Sequence, residues 1–182
     1  MSDLSRQLDF LRLVGHLKHV KRTGWVRRGI PEAESVADHS FRVALFALAL
    51  ANSYPAQIDR NKCIAMAVVH DLAESIVGDI APSDGFTQDE KNRKEEAAMS
   101  SLAATLDDPS LLAMWHEYEQ GATAEAQFVR ALDKLETALQ AVEYQSQHGR
   151  DLSEFISWAR ERTSGAWAHG LLSQIAALTN AQ

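Results

Sequence analysis

Apolar residues recur along this chain at three- and four-residue intervals, and nowhere do they alternate for long. Leu4, Leu8, Leu11 and Val14 mark one face of an opening helix, which Gly24 is placed to end or interrupt. Ser35, with Asp38 three residues on, predicts a capped start to a second helix that runs to Pro55. The longest apolar run, VALFALALA at 43–51, falls inside it; a membrane span needs about 20 such residues, so a core helix is expected. A third helix opens after Asp59 and carries CIAMAVVHDLAES, and Gly78 and Pro82 mark the loop behind it. Thr87 and Glu90 predict another capping box, ahead of a polar helix to about Leu106. Asp108-Pro109 starts the next, SLLAMWHEYEQ, and Gly121 stops it. Thr123 caps a long helix whose stripe is Val129, Leu132, Leu135, Leu139 and Val142, ending near Gly149. Two shorter helices, about 152–163 and 166–178, finish the chain. There is no repeat, low-complexity tract or long polar linker. The expectation is one all-α domain, a helical bundle over residues 1–182.

Composition narrows this reading without changing it. The 182 residues are 46% hydrophobic and 24% charged, ordinary globular usage for one domain. The opening MSDLSRQLDFLRLVGHLKHVKR mixes apolar and polar residues, unlike a signal peptide. One cysteine, Cys63, cannot form an internal disulfide, so a soluble protein of the reducing cytoplasm is expected, with no membrane partner. The net charge of −7 argues against a nucleic-acid polymer as partner. One segment runs the other way: between Phe10 and Pro31 there is no Asp or Glu, but there are Arg12, Lys18, Lys21, Arg22, Arg27 and Arg28. It reads either as a solvated helix face running into a loop or as a local positive field for a small anion.

The chemistry concentrates in AVVHDLAESIVGDI, residues 67–80. Val68, Val69, Leu72, Ile76 and Val77 read as core, yet His70, Asp71, Glu74 and Asp79 sit among them. Burying such groups uncompensated costs about 2–7 kcal/mol for a neutral polar group and far more for a charge. On a helix Glu74 is four residues from His70 and three from Asp71, so all three can aim into one pocket. His39, in SVADHSFRVALFALA, and Asp133, in FVRALDKLETAL, are further polar intrusions in apolar stretches. Singly, each has an ordinary explanation: a hydrogen-bonded His39, an Asp133 paired with Lys134 or Arg130, a Glu74 at a helix end. Together, imidazole and carboxylate suit a borderline or hard divalent metal, which would cross-link three helices and supply the compensation.

A pattern of H, then HD on a helix, then D on a later helix resembles the HD-domain metal-dependent phosphohydrolases. Here it is His39, His70-Asp71 and Asp133. The surrounding ESVADHSFRVA, MAVVHDLAESIVGDIAPSDG, EKNRKEEAAM, MWHEYEQGATAEAQFVRALDKLE and LQAVEYQ narrow the resemblance to the group of HD-domain-containing protein 2 and the bacterial 5′-deoxynucleotidase. It covers about residues 8–146; the helices at about 151–180 carry little of its signature. The resemblance implies a single HD domain, usually a homodimer, that hydrolyses deoxyribonucleoside 5′-monophosphates to nucleoside and phosphate. It implies a divalent cation, cobalt, manganese or magnesium, on His39, His70, Asp71 and Asp133. Glu74 and Asp79 would either handle the attacking water and the leaving group or, with the backbone of Ile80, hold a second cation.

Physical chemistry fits those roles. Water activated by such a cation attacks phosphorus in line, and Glu74 is placed to orient or deprotonate it. Asp79, just past Gly78, can reach the leaving oxygen or the sugar 3′ hydroxyl. Asp84, in PSDG, reads as a turn residue before an extra carboxylate. The family carries an Arg followed at once by a Trp, contacting phosphate and helping exclude ribonucleotides. Here, in KRTGWVRRG, Arg22 is present but the aromatic comes at Trp25, so Trp25 either reaches the sugar by another loop path or packs in the core. Trp115 and Tyr118 read as packing residues. Two alternatives keep the metal site and change the function: another nucleotide substrate (cyclic, guanosine tetraphosphate or a deoxynucleoside triphosphate), or a non-catalytic, metal-stabilised ligand sensor.

Overall fold

Short-range hydrogen bonds decide where the long helices begin. A computed structural model describes residues 3–81 and 84–178; Pro82 lies outside the described residues. In chain order the helices are α1 (Asp3–Val14), α2 (Thr23–Arg27), α3 (Val36–Leu50), α4 (Arg60–Val69), α5 (Glu74–Val77), α6 (Gln88–Leu106), α7 (Pro109–Gln120), α8 (Ala124–His148), α9 (Ser153–Arg162) and α10 (Ala166–Ala177). Among the described residues there is no strand, only an isolated bridge between Lys21 and Ser35. The predicted caps are made. The Ser35 N–H and hydroxyl both donate to Asp38 Oδ2 while Asp38 N–H donates back to Ser35 Oγ. Thr87 and Glu90 form a full capping box, and Thr123 Oγ1 accepts from Ala126 N–H at the head of α8. Each such cap is worth about 1 kcal/mol.

The chain divides into two compact units, Met1–Ser40 with Val68–Gln120, and Phe41–Ala67 with Gly121–Gln182. In the first, α6 presents Glu95, Ala98, Met99, Leu102 and Ala103, one face at helical spacing. Both α1 and α5 pack on α6, and α7 packs against it from the sequence-adjacent side. Leu17, Val36, Val69, Leu72 and Trp115 complete the core, with Phe10, Leu13 and Val14 of α1 against it. Here the structure corrects the sequence reading: Leu4, Leu8 and Leu11 are exposed. Residues 10, 13, 14 and 17 form a second stripe with equally good helical spacing, and that is the one turned to the core, with Leu17 buried and the other three half-buried. Gly24 also does not end a helix; it lies inside α2.

In the second unit, α8 buries Phe128, Val129, Leu132, Leu135, Ala138 and Val142, and α9 and α10 pack on it and on each other. The rings of Tyr54, Phe128 and Trp167 lie 4.8–5.5 Å apart. Glu136 is 0% exposed and is held by Arg42, whose Nε donates to its Oε1 at 2.7 Å. The same guanidinium donates to Glu143 and Gln140. Burial disfavours the guanidinium charge, but Glu136 and Glu143 raise the Arg42 pKa on balance. An Arg42→Ala variant leaves Glu136 buried without its cation and should lose about 3–5 kcal/mol of stability, read as an earlier midpoint in denaturant unfolding. No described helix is long and apolar enough to cross a membrane.

Candidate metal centre and active site

The helix expected to run through the HD pair stops before it. α4 ends at Val69, and residues 70–73 form a tight turn in which Leu72 N–H donates to Val69 O and Glu74 N–H to Asp71 O. These three-residue bonds wind the chain more tightly than an α-helix. The continuous-helix geometry is therefore corrected, although His70, Asp71 and Glu74 still share a neighbourhood. His39 comes from the first turn of α3, just inside the Ser35–Asp38 cap, with its N–H on Ser35 O. The rings of His39 and His70 lie 5.5 Å apart. Asp71 Oδ2 sits 3.1 Å from His70 Nε2 and 3.8 Å from His39 Nε2. Two imidazoles and a carboxylate thus converge from two elements of one unit. Asp71 Oδ2 and Glu74 Oε2 are both buried, and neither accepts a hydrogen bond of proper geometry among the described residues. A buried oxygen without a donor is costly, and a divalent cation is the partner that imidazole and carboxylate together select. The donor set fits such a metal.

The electrostatics agree. Burial works to raise the Asp71 carboxyl, yet His70 first, then His39 and Arg22, hold it well below the usual carboxylate range. Glu74 goes the opposite way: burial, then Asp71 and Asp79, push it well above its ordinary value against Arg22 and Lys91. Two carboxylates side by side with pKa values driven apart are the arrangement in which one group stays ionised while the other handles protons.

Arg22 reaches this cluster because residues 20–22 are pinned against 34–36. Val36 N–H donates to Val20 O, and Arg22 N–H to Glu34 O. Its guanidinium lies 3.7 Å from Asp71 Oδ2. Trp25 is placed differently: it is 1% exposed, its indole N–H donates to Glu34 Oε1, and its ring offers a sugar almost no surface. Of the two paths open to it, the structure takes the core one. Asp79 follows Gly78, whose φ of +77° requires glycine at the turn out of α5. Its Oδ2 accepts from Thr23 N–H at 2.6 Å, and its main-chain oxygen from Thr23 Oγ1 at 2.7 Å. Ile80, next along, is buried. Asp84 accepts from Ala81 N–H and pairs with Arg27, as a turn residue does. Asp133 lies in the second unit, buried on α8, with Lys134 Nζ 2.5 Å from its Oδ2.

Four residues near the centre escaped the sequence reading in that role. Thr23 is one. Tyr118 sets its ring edge-on to His70 at 5.3 Å, so it props a candidate ligand as well as packing. Lys91 and Glu95, one turn apart on α6 and 3.5 Å from each other, face the acids. The Lys91 pKa, lowered by burial, is raised on balance by Glu95, Glu74, Asp71 and Asp79. Burial lifts Glu95 to about 7, with Glu119 and Asp71 adding to it and Lys91 opposing. A carboxyl whose folded value rises from 4.5 to about 7 favours the fold while protonated, so its contribution is lost as pH climbs through that window. Thermal unfolding followed from pH 4.5 to 7 should show a shallower decline in Glu95→Gln than in the parent. A signal for Lys91 existed in the run EKNRKEE, but many charges there offered no way to choose one.

The HD domain family matches residues 14–175. The 5′-deoxynucleotidase HDDC2 of Bos taurus is 42% identical over 173 residues, spanning 92% of this chain and 81% of that protein. The 5′-deoxynucleotidase YGK1 of Saccharomyces cerevisiae is 38% identical over 159 residues, spanning 82% of this chain and 73% of the yeast protein. Among solved structures, the PH0347 protein of Pyrococcus horikoshii superposes with a TM-score of 0.81 at 34% identity, covering 94% of this chain and 99% of that one.

Proposed function

The chain belongs to the HD-domain family, and on that premise we propose that it is a divalent-metal-dependent 5′-deoxynucleotidase, releasing phosphate from deoxyribonucleoside 5′-monophosphates. One observation carries the proposal. His39, His70 and Asp71 converge with Glu74 buried beside them, in a chain 42% identical to a protein of that activity. The family match runs through both compact units, which supports treating residues 1–182 as a single HD domain.

In this account His39, His70 and Asp71 hold cobalt, manganese or magnesium, and the motif assigns Asp133 as the fourth ligand. When bound, the cation acidifies water and draws charge from the phosphate oxygens. Glu74, its carboxyl raised by burial, orients the attacking water and takes its proton. Arg22, beside Asp71, contacts the phosphate, a geometry that its planar fork suits. Asp79 meets the substrate at the leaving oxygen or the 3′ hydroxyl. The family also offers a second cation on Glu74, Asp79 and the Ile80 carbonyl; the bond from Thr23 N–H to Asp79 Oδ2 favours the substrate-side role.

The site supports a mononucleotide as partner, and the net charge of −7 weighs against a nucleic-acid polymer. A homodimer is supported by Phe41, Leu45 and Leu48, apolar residues exposed at helical spacing along α3. Cys63 is buried, its thiol pushed up to about 11 by burial, Glu125 and Asp59, so it is unreactive; a single cysteine with no internal disulfide partner supports a cytoplasmic location.

The test is phosphate release by metal-loaded protein from deoxyadenylate, adenylate, a 3′-monophosphate, deoxyadenosine triphosphate and a cyclic nucleotide. Release from the 5′-monophosphates, with deoxyadenylate preferred, supports the proposal. Turnover of the triphosphate or the cyclic ester alone moves the substrate class, and silence with metal bound points to a sensor.

A further inference from the structure

We infer that Thr23 is the positioning residue for Asp79, tethering the loop behind α5 so that a single carboxylate oxygen, Oδ1, is presented to the substrate. The inference rests on the 5′-deoxynucleotidase reading and extends it to a residue outside the metal and phosphate contacts. After Val77 the chain leaves helical geometry through Gly78 at φ +77°, a residue with little intrinsic stiffness. The tether that the described bonds give Asp79 is Thr23. Its N–H donates to Oδ2 and its hydroxyl donates to the main-chain oxygen, across 56 residues of sequence. With Oδ2 held by the Thr23 N–H, the orientation of the carboxylate is set and Oδ1 is the oxygen offered to the substrate.

Thr23 opens α2, and the residue before it is Arg22, 3.7 Å from Asp71. Two consecutive residues therefore contact Asp71 and Asp79. At the far end of α2, Arg27 pairs with Asp84, which also accepts from Ala81 N–H. The short helix thus holds its neighbouring loop at two points, and the Arg22 guanidinium and the Asp79 carboxylate are placed by the same element. A substrate held by phosphate at one end and by sugar or leaving oxygen at the other needs that spacing kept, because misplacement of about 1 Å is costly in rate.

Substituting Thr23 can remove the hydroxyl tether but not the main-chain one, which separates the two. Thr23→Val keeps the shape and loses the donor; Thr23→Ser keeps the donor. Thr23→Val should lower kcat/KM on deoxyadenylate about tenfold, the scale of one hydrogen bond, and Thr23→Ser should restore it. In an Asp79→Asn background the valine substitution should cost less than about twofold, because its effect passes through Asp79. Amide exchange of residues 78–81, followed by mass spectrometry, should quicken in Thr23→Val and not in Thr23→Ser. Equal losses in both backgrounds, or unchanged exchange in Thr23→Val, overturn the inference. If the parent protein releases no phosphate, the activity reading fails, and the exchange measurement still decides the tether.

Discussion

His70→Ala protein should retain no stoichiometric divalent cation, and its phosphate release should fall at least about 10²-fold. That is no less than the loss that removing a mere outer partner of a metal ligand produces. His70 is buried, with the His39 ring at 5.5 Å, the Tyr118 ring at 5.3 Å and Asp71 Oδ2 at 3.1 Å. Deleting the imidazole removes a donor at the centre of that group. It also removes the first of the groups that hold the Asp71 carboxyl down, so a buried carboxylate is left with less compensation. Atomic absorption on desalted protein reads the metal, and circular dichroism checks that the helices persist. A His70→Ala protein that kept one tightly held cation would remove His70 from the ligand set.

Glu74→Gln should separate binding from turnover. Metal content should stay near that of the parent while turnover drops about 10²–10⁴-fold, the range that a positioned general base supplies. A second consequence follows from its raised pKa. In metal-free protein, ionised Glu74 is disfavoured by burial and by Asp71 and Asp79. The unfolded chain therefore releases that proton more readily, and stability declines as pH rises above the ordinary value of 4.5. The glutamine cannot ionise. Calorimetry of metal-free proteins should give Glu74→Gln the higher melting temperature at pH 8 and nearly the same one at pH 4. Turnover at the parental rate would take Glu74 out of the proton-handling role.

What could be read from sequence was local. Ser35–Asp38, Thr87–Glu90 and Thr123 lie within three residues of the groups they cap, so three helix starts were legible before any tertiary contact. His39, His70, Asp71 and Glu74 stood out because polar groups in apolar runs need compensation. The break of the helix at Val69 did not stand out, because residues 60–77 satisfy helical spacing throughout and the local switch to three-residue bonds at 70–73 leaves that spacing intact. The burial of α1 failed for a related reason: two stripes compete, and α6 selects the one with Phe10, Leu13 and Val14. Thr23 was invisible because nothing in RTG announces contact with an acid 56 residues away, and Lys91 could not be singled out among the many charges of EKNRKEE. Trp25 shows the converse, an aromatic beside a basic segment whose indole is absorbed by Glu34.

The most direct measurement is a metal add-back. Chelator-stripped protein would be titrated with cobalt, and initial phosphate release from deoxyadenylate plotted against cobalt bound per chain. The rate should rise from background in proportion to bound metal and then level off, while His70→Ala stays at background throughout. Full turnover by stripped protein, or a His70→Ala curve that follows the parent, would contradict a metal-dependent phosphohydrolase built on the HD pair.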